Sequence, residues 1–590
     1  MKAPKKTRLA NYFQEELDAM RAEASTFAGQ HPGMAGGLGL GAGRSSDPHV
    51  DLLQQSFAFM GARLRHHVDQ DKARIPNALA ESLYPHLGQP SPSMLIAQAD
   101  QVTCKAPLPR HQALGTRARN EAGLPVECRF RLAYATTLIP LEVQAAALHP
   151  PAAGMPGPGA LAITLRRSAG AGSEQLSNET LRFFIDAEAG ADAWRLYELL
   201  ALHHGSIRTS LGEAAGATLR WLGFDDDEAM LHAHPQTPSA YRVLQEYFAF
   251  PQKFMFFEIG PLALTQMGQT LELRIDLDAP LNHLEQLAPS VLRLNCLPLV
   301  NLFKRNLEPL ALEHTEYEYR LTVDLSQHRH YEVVAVDTLY SVRADGSTRE
   351  IVPYFGFDEI DGTRKPDYFY LGRRERSEAS NVAGGEFYVS FLDQHFALTK
   401  PMDEVVGGTA LCSNRRLPEQ LRIGTRLHLE GAGPAVQLTT IGKPTAHDMP
   451  PLIGARPWAL VSQLALNRLS LAEGPQALDA FKKILRLHAG QDRIVGLRQI
   501  EGIVGLAARR LMRMRQVRGW QGFVRALRID IKLDRNSFRD ASPVLFWTVL
   551  RQFFALYATV NTVLESGFVT TDCSGDDAAW PLLEGRQCEL

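Results

Sequence analysis

At 590 residues, 45% hydrophobic and 22% charged, the chain carries more apolar material than one core can use, and length alone argues for roughly three or four domains. Its formal net charge of −3 excludes a global field that would recruit nucleic acid or an anionic membrane surface. No stretch reaches the roughly 18 uninterrupted apolar residues of a membrane-spanning helix, because the nearest, Val544 to Val560, is broken by Arg551 and Gln552.

The chain opens on a basic cluster, Lys2, Lys5, Lys6 and Arg8. No apolar run of the signal-peptide type follows, so a solvated N-terminus is expected. The first ~90 residues then read as helical. Phe13, Leu17, Met20, Ala24 and Phe27 recur at steps of four and three, a one-sided stripe. After a Gly-rich break from Gly33 to Gly43, Asp47 is placed to cap a second helix with Pro48 at its first position. Its stripe is Val50, Leu53, Phe57, Met60, Leu64 and His67. The two helices are expected to pair with each other, a seam for another chain being the alternative.

The middle changes period. Leu271, Leu273, Ile275 and Leu277 alternate with polar residues, which predicts a half-buried strand. Tyr317, Tyr319, Leu321, Val323 and Leu325 predict another. Asp345-Gly346 predicts a hairpin turn between runs ending near Val342 and starting near Ile351. A further apolar run, Phe387 to Leu392, follows Gly384-Gly385. Linkers are expected at Pro150 to Gly159, Gly431 to Pro434 and Gly442 to Pro457. Beyond them, Leu478, Phe481, Ile484 and Leu485 predict a helix, Leu527 to Leu533 a strand, and Val544 to Val560 an apolar helix. The expected fold class is therefore α+β and multi-domain: a helical region over 1–92, a β-rich domain over 93–290 with a variable insertion around 150–235, a second β-rich domain over 291–445 and an α+β domain over 446–590. The β-rich part should be mostly antiparallel and sandwich-like.

Chemistry is sparse. Gly37, Gly39 and Ala42 match GxGxxA formally, but a helix rather than a strand precedes them, so a connector is expected. Asp225, Asp226, Asp227 and Glu228 with His232 and His234 form the best metal candidate, though the spacing fits neither an EF-hand nor an HExxH helix. His66-His67, His203-His204 and the His328/His330 pair are expected to be ordinary core or interface histidines. Gly442-Lys443 runs into Pro444 and is no phosphate loop. Asn178-Glu179-Thr180 is a sequon that carries no information in a cytoplasmic protein. Arg415-Arg416 and Arg373-Arg374-Glu375-Arg376 suit ion pairs or a protein interface better than a nucleic-acid strand. Six cysteines (Cys104, Cys128, Cys296, Cys412, Cys573 and Cys588), far apart and without CxxC, suit reduced thiols.

Several ordered blocks go further. Tyr12-Phe13-Gln14-Glu15-Glu16-Leu17, Phe27-Ala28-Gly29-Gln30-His31-Pro32, Asp47-Pro48-His49-Val50, Phe57-Ala58-Phe59-Met60, Leu83-Tyr84-Pro85-His86 and Pro90-Ser91-Pro92-Ser93-Met94 together resemble the opening of the TssF (VasA/ImpG) family of type VI secretion baseplates. Val300-Asn301-Leu302-Phe303-Lys304-Arg305 with Glu308-Pro309, then Tyr317-Glu318-Tyr319-Arg320, resemble its central motif. Leu411-Cys412-Ser413-Asn414-Arg415-Arg416-Leu417-Pro418, Lys443-Pro444-Thr445, Leu464-Ala465-Leu466-Asn467-Arg468-Leu469-Ser470, Phe553-Phe554-Ala555-Leu556-Tyr557 with Asn561, and Trp580-Pro581 are similar to later blocks. Asp51-Leu52 and Arg525-Ala526 depart from the family pattern. The resemblance implies a structural wedge subunit at the cytoplasmic face of the bacterial inner membrane. It implies two copies joined with one TssG, with TssK and TssE, around a spike hub on which the contractile sheath assembles. It implies no catalytic residue, metal or cofactor, no nucleic-acid partner and no direct membrane insertion. Two other readings compete with it: a metal-dependent hydrolase built on Asp225 to His234, and a β-sandwich ligand-binding tail protein, for which only Tyr317/Tyr319 hint at an aromatic platform.

Overall fold

A computed structural model describes residues 8–585 except 38–46, 84, 121, 151–158, 172–175, 215, 235–236, 279–286, 289, 313–317, 344, 355–367, 378–381, 394–404, 432–435, 450–474, 491–492, 518–519, 559–561, 572–579 and 581. The described residues divide into two compact units, one within 8–83 and one from residue 85 onward.

The first unit is helical: α1 (Arg8–Gln30), the short α2 (Pro32–Gly37) and the long α3 (Pro48–Leu83). Asp47 starts α3 as its residue type dictates. Its Oδ1 accepts the N–H of His49 at 2.9 Å, its carbonyl accepts that of Asp51, and Pro48 takes the first position, where no N–H is needed. α1 and α3 pair, but not through the apolar stripe of α3. The face of α3 turned to α1 carries Asp51, Ala58, Ala62, Arg65 and Asp69. Asp51 pairs with Arg21 at 3.2 Å, Arg65 with Glu16 at 3.2 Å, and Asp69 accepts from Tyr12 at 2.6 Å. Ala58, Ala62 and, on α1, Leu17 are buried. Small residues let the two backbones approach while polar pairs fix the register.

The second unit begins its helices with α4 (Pro85–Gly88), α5 (Ala191–His203) and α6 (Ser239–Ala249) and ends them with α7 (Pro475–Ala489), α8 (Ile494–Glu501) and α9 (Pro543–Phe554). Its strands form a closed six-stranded barrel, five- and four-stranded sheets, an eight-stranded sheet and a C-terminal four-stranded sheet. The six-stranded barrel is not among the elements that the sequence pattern predicts. Its strands come from three separate stretches of chain: Met94–Asp100, Ala113–Arg119 and Pro125–Leu132, then Cys296–Val300, then Arg426–Leu429 and Gln437–Thr440. Leu95, Leu114, Phe130, Leu297, Leu427 and Leu438 fill it.

The strand predicted from alternation at 270–277 is Thr270–Leu277, with Leu271, Leu273, Ile275 and Leu277 all buried. Burying each contributes roughly 1.5–3 kcal/mol. It pairs antiparallel with Gly159–Arg167 and His204–Thr209, so the stretch around 150–235 supplies core strands and α5. The hairpin at Asp345-Gly346 joins Glu332–Val342 to Thr348–Pro353, with Gly346 at φ 80°. Phe387 to Leu392 lies in the strand Gly385–Asp393. Pairing is antiparallel throughout except between Thr348–Pro353 and Tyr368–Arg376 and between Trp520–Leu533 and Thr562–Thr570. One apolar core runs from the five- and four-stranded sheets through α6, α7 and α9 into the C-terminal sheet, with Leu273, Tyr247, Phe481, Trp547 and Ile529 among its members.

Three expectations are corrected. Of the predicted strand at 317–325, only Tyr319–Arg320 pairs, and Tyr317 lies outside the described residues. Leu321 and Val323 are still buried, but the chain turns away where Asp324 Oδ1 accepts the N–H of Ser326 and Gln327. The apolar helix at 544–560 ends at Phe554 and closes on a single 3₁₀ turn, Ala555–Tyr557. The linker expected from Gly442 is, over its described part, a docked strap: Thr445 exchanges hydrogen bonds with Met94, and Asp448 bridges Ser91.

Candidate functional site

The acidic run at 225–228 folds as a structural loop. Arg220 reaches Asp225 at 3.0 Å and Glu228 at 3.1 Å, and Arg242 reaches Asp226 at 2.7 Å. Glu228 is buried and accepts the N–H groups of Gly223, Phe224 and Asp225. Just beyond, the N–H groups of Met230 and Leu231 both donate to the fully buried Glu246 at 2.8 Å, and Glu246 in turn pairs with the fully buried Lys253. Burial pushes the Lys253 ammonium below its usual range. Asp225, Asp227 and Glu228 do offer oxygens within 4.8 Å of one another, but two of these three carboxylates are already compensated by arginine and backbone N–H. His232 and His234 do not join the group. Burial holds both below the ordinary imidazole range, His232 at about 4 with Arg131 adding to the effect. The arrangement pins a loop.

The other single-residue candidates resolve similarly. Gly37 closes α2, while Gly39 and Ala42 lie outside the described residues. His67 is exposed on α3, and His203-His204 mark the junction of α5 with a strand. Arg373 pairs with Glu318 at 2.6 Å, and Arg374 is buried against the carbonyls of Val333 and Val334. Arg415 is buried and reaches the carbonyls of Tyr331 and Ala383 at 2.8 Å and Glu386 at 3.0 Å. Burial pushes the Cys412 thiol up to about 12, which leaves it a packing residue.

Two features do stand out. One is a polar clasp joining the barrel to the eight-stranded sheet. Asn301 and Asn414, both fully buried, bond reciprocally: the Asn414 N–H donates to Asn301 Oδ1 at 2.7 Å, and Asn301 Nδ2 donates to Asn414 Oδ1 at 2.9 Å. Both also grip the barrel strand Pro125–Leu132, at the N–H and carbonyl of Arg129 and the carbonyl of Glu127. Beside them the buried Glu332 accepts from Gly385 N–H at 2.6 Å, Ser413 Oγ at 3.3 Å and His447 Nε2 at 2.6 Å. Burial alone would push the Glu332 carboxyl up, but adjoining His447 and Arg415 outweigh it and hold it at about 2. Gly384, at φ 100°, is required here, since a Cβ would sit 2.8 Å from Glu332 Oε1 and 3.0 Å from Arg415 Nη1.

The second feature is the leftover face of α3. Leu53, Phe57, Met60 and Leu64 are 58%, 59%, 64% and 67% exposed, and Leu52 and Val68 extend the patch, while Phe59 on the flank meets Phe13 of α1 edge-on. The expected helix pairing occurs, and the apolar seam still faces outward, about 140° round the helix from the contact face. A soluble helix leaves such a face bare only when something covers it.

The model of the family described as "Type VI secretion system, TssF" matches residues 5–587. The chain belongs to this TssF family. The type VI secretion system component TssF1 of Pseudomonas aeruginosa is 30% identical over 99% of this chain and 100% of its own length. The fold is similar to a chain of the type VI secretion TssK-TssF-TssG baseplate subcomplex (TM-score 0.70, 23% identity, 88% of this chain and 96% of that one) and to a chain of the type VI baseplate complex (0.66, 20%, 98% and 100%). As a TssF-family member this protein is a structural subunit of the type VI secretion baseplate.

The TssF-like blocks acquire physical meaning in pairs. Ser91 and Met94 of one block meet Asp448 and Thr445 at another, and Asn301 of the central motif clasps Asn414. The block Leu464 to Ser470, Asn561 and Pro581 lie outside the described residues. What residue-by-residue reading missed was Glu332 with His447: a strand-end glutamate and a histidine 115 positions apart carry no local signal.

Proposed function

We propose that this TssF-family chain acts as an assembly subunit of the baseplate wedge, two copies combining with one TssG and joined by TssK and TssE around the spike hub, where the sheath is built. Its role is scaffolding rather than catalysis, in the cytoplasm at the inner-membrane face. Family membership supports the reading, as does the likeness to a fold seen in a TssK-TssF-TssG subcomplex. Among the described residues no helix is long and apolar enough to cross a membrane. The observation that carries the proposal is the exposed seam of α3, Leu53, Phe57, Met60 and Leu64. Heptad-like spacing suits a helical partner, and the proposal assigns that seam to a bundle with TssG and the second TssF copy.

The test is co-expression with a candidate TssG and native mass spectrometry of the purified product. A stable two-to-one complex is expected. A chain that purifies alone, with TssG well expressed and folded, overturns the proposal.

A further inference from the structure

The C-terminal sheet carries a second unpartnered element, far along the sequence from α3. The strands Ile503–Val517 and Trp520–Leu533 pair from Ile503 with Leu533 out to Val517 with Trp520. The third strand, Thr562–Thr570, reaches only as far as Arg525. The outer half of the hairpin therefore projects past its own sheet, and Ile503–Val517 is an edge strand along its length.

One face of this hairpin shows what the projection does. At its base the face is core, with Ile531 and Ile529 buried. Followed outward, the same face carries Leu527 and Arg510, then Met512 and Arg525, then Met514 and Phe523. Met512, Met514 and Phe523 are 58%, 67% and 70% exposed. The apolar face thus continues beyond the body that covers it. Arginine dominates the charge. Arg513 and Arg528 are held by Glu565 at 2.5 and 3.0 Å, whereas Arg509, Arg510 and Arg525 make no ion pair or side-chain hydrogen bond among the described residues.

We infer that the hairpin is a docking arm for another protein chain, an extended acidic segment with an apolar anchor that adds as a strand along the outer edge of 511–517. The open edge presents unpaired backbone N–H and C=O groups, which a strand completes and neither lipid nor phosphodiester does. Met512, Met514 and Phe523 supply anchor sites, and the unpaired arginines select acidic side chains around them. A second copy of the hairpin does not fit, because arginine would meet arginine. An anionic membrane fits less well, because arginines lie on both faces, Arg509 and Arg513 on one and Arg510 and Arg525 on the other, whereas interfacial elements segregate charge from apolar surface.

The experiment uses the full chain and four labelled probes: an eight-residue peptide alternating glutamate with valine and phenylalanine, its lysine counterpart, the acidic peptide N-methylated at alternate backbone nitrogens, and a single-stranded oligodeoxynucleotide. Phosphatidylglycerol vesicles form a fifth arm. The acidic peptide should bind, weaken with salt, and protect amides at 511–517 from hydrogen exchange. Arg510→Glu with Arg525→Glu, and separately Met514→Ser with Phe523→Ser, should each weaken it about tenfold or more, as should N-methylation. Equal binding of acidic and basic peptides, undiminished binding of the N-methylated probe, or capture of oligonucleotide or vesicles but not the acidic peptide would overturn the inference. The N-methyl arm needs no variant, so it decides the matter even if a substitution disturbs folding.

Discussion

Replacing Leu53, Phe57 and Leu64 together with serine separates folding from assembly. All three side chains are more than half exposed, and exposed substitutions away from special features cost within about 0.5 kcal/mol each. The isolated chain should keep its circular dichroism and melt within a few degrees of the parent. In a complex that buries the seam, each residue forfeits burial of the part now bare, about 1–2 kcal/mol of the 1.5–3 kcal/mol for full burial. Three together amount to about 3–6 kcal/mol, a loss of roughly 10²- to 10⁴-fold in affinity. Val50 is a poor choice for this purpose because it is already half-buried. The assay is titration against purified TssG by biolayer interferometry, with Ala58→Leu as a control that perturbs the α1 contact instead. Affinity within threefold of the parent would refute the assignment of the seam, and a collapse in melting temperature of the isolated chain would refute the claim that the stripe is free.

The clasp and its neighbours give further expectations. Asn414→Ala leaves the Arg129 N–H and the Glu127 carbonyl without their side-chain partner and takes one of two acceptors from Asn301 Nδ2, while Asn301 Oδ1 keeps the backbone N–H of residue 414; each unmet buried group costs about 1–3 kcal/mol. In a chain of 590 residues the melting point should fall by about 1–5 °C, because the unfolding entropy grows with length; Asn301→Ala should do the same, and the double variant little more, since the two act as a unit. Glu332 has a depressed pKa of about 2 in the folded chain, so its stabilisation is complete above the unfolded value near ~4.3 and is lost as pH falls from there toward about 2. Acid titration of unfolding should show that slope in the parent and a flatter one in Glu332→Gln. At Asp225, Asp227 and Glu228, millimolar calcium, magnesium or EDTA should shift the melting point by no more than about 1 °C, because a ligand that binds only the folded state must raise it; a rise of several degrees abolished by Asp227→Asn would restore a metal site.

What could be read from the sequence follows from how local each signal is. The strand Thr270–Leu277 alternates cleanly because one face is core and the other is not. Asp345-Gly346 fixes its own turn, and Asp47-Pro48 its own helix start. Tyr317 to Leu325 alternate as well, yet the strand ends at Arg320; the Leu321 N–H still donates to Phe387, and the chain then turns where Asp324 captures the N–H groups of Ser326 and Gln327. The barrel was hidden because its closure pairs Met94–Asp100 with Gln437–Thr440, more than 300 positions later. On α3 periodicity found the large apolar residues but could not tell which face meets α1, since that contact rests on Ala58, Ala62 and ion pairs. The candidate seam was therefore visible, and its exposure was not. The Glu332–His447 pair and the projecting hairpin had no legible local signal, since both depend on which strands lie beside them.

The most direct test of the account places a photo-crosslinking residue at Phe57 of the full chain and assembles it with TssG. The account predicts crosslinks from Phe57 to TssG or to the second TssF copy, formed only in the complex, with a control crosslinker at the α1-facing Ala58 giving intramolecular products. An unchanged, solvent-quenched Phe57 crosslinker in a fully assembled complex would contradict it.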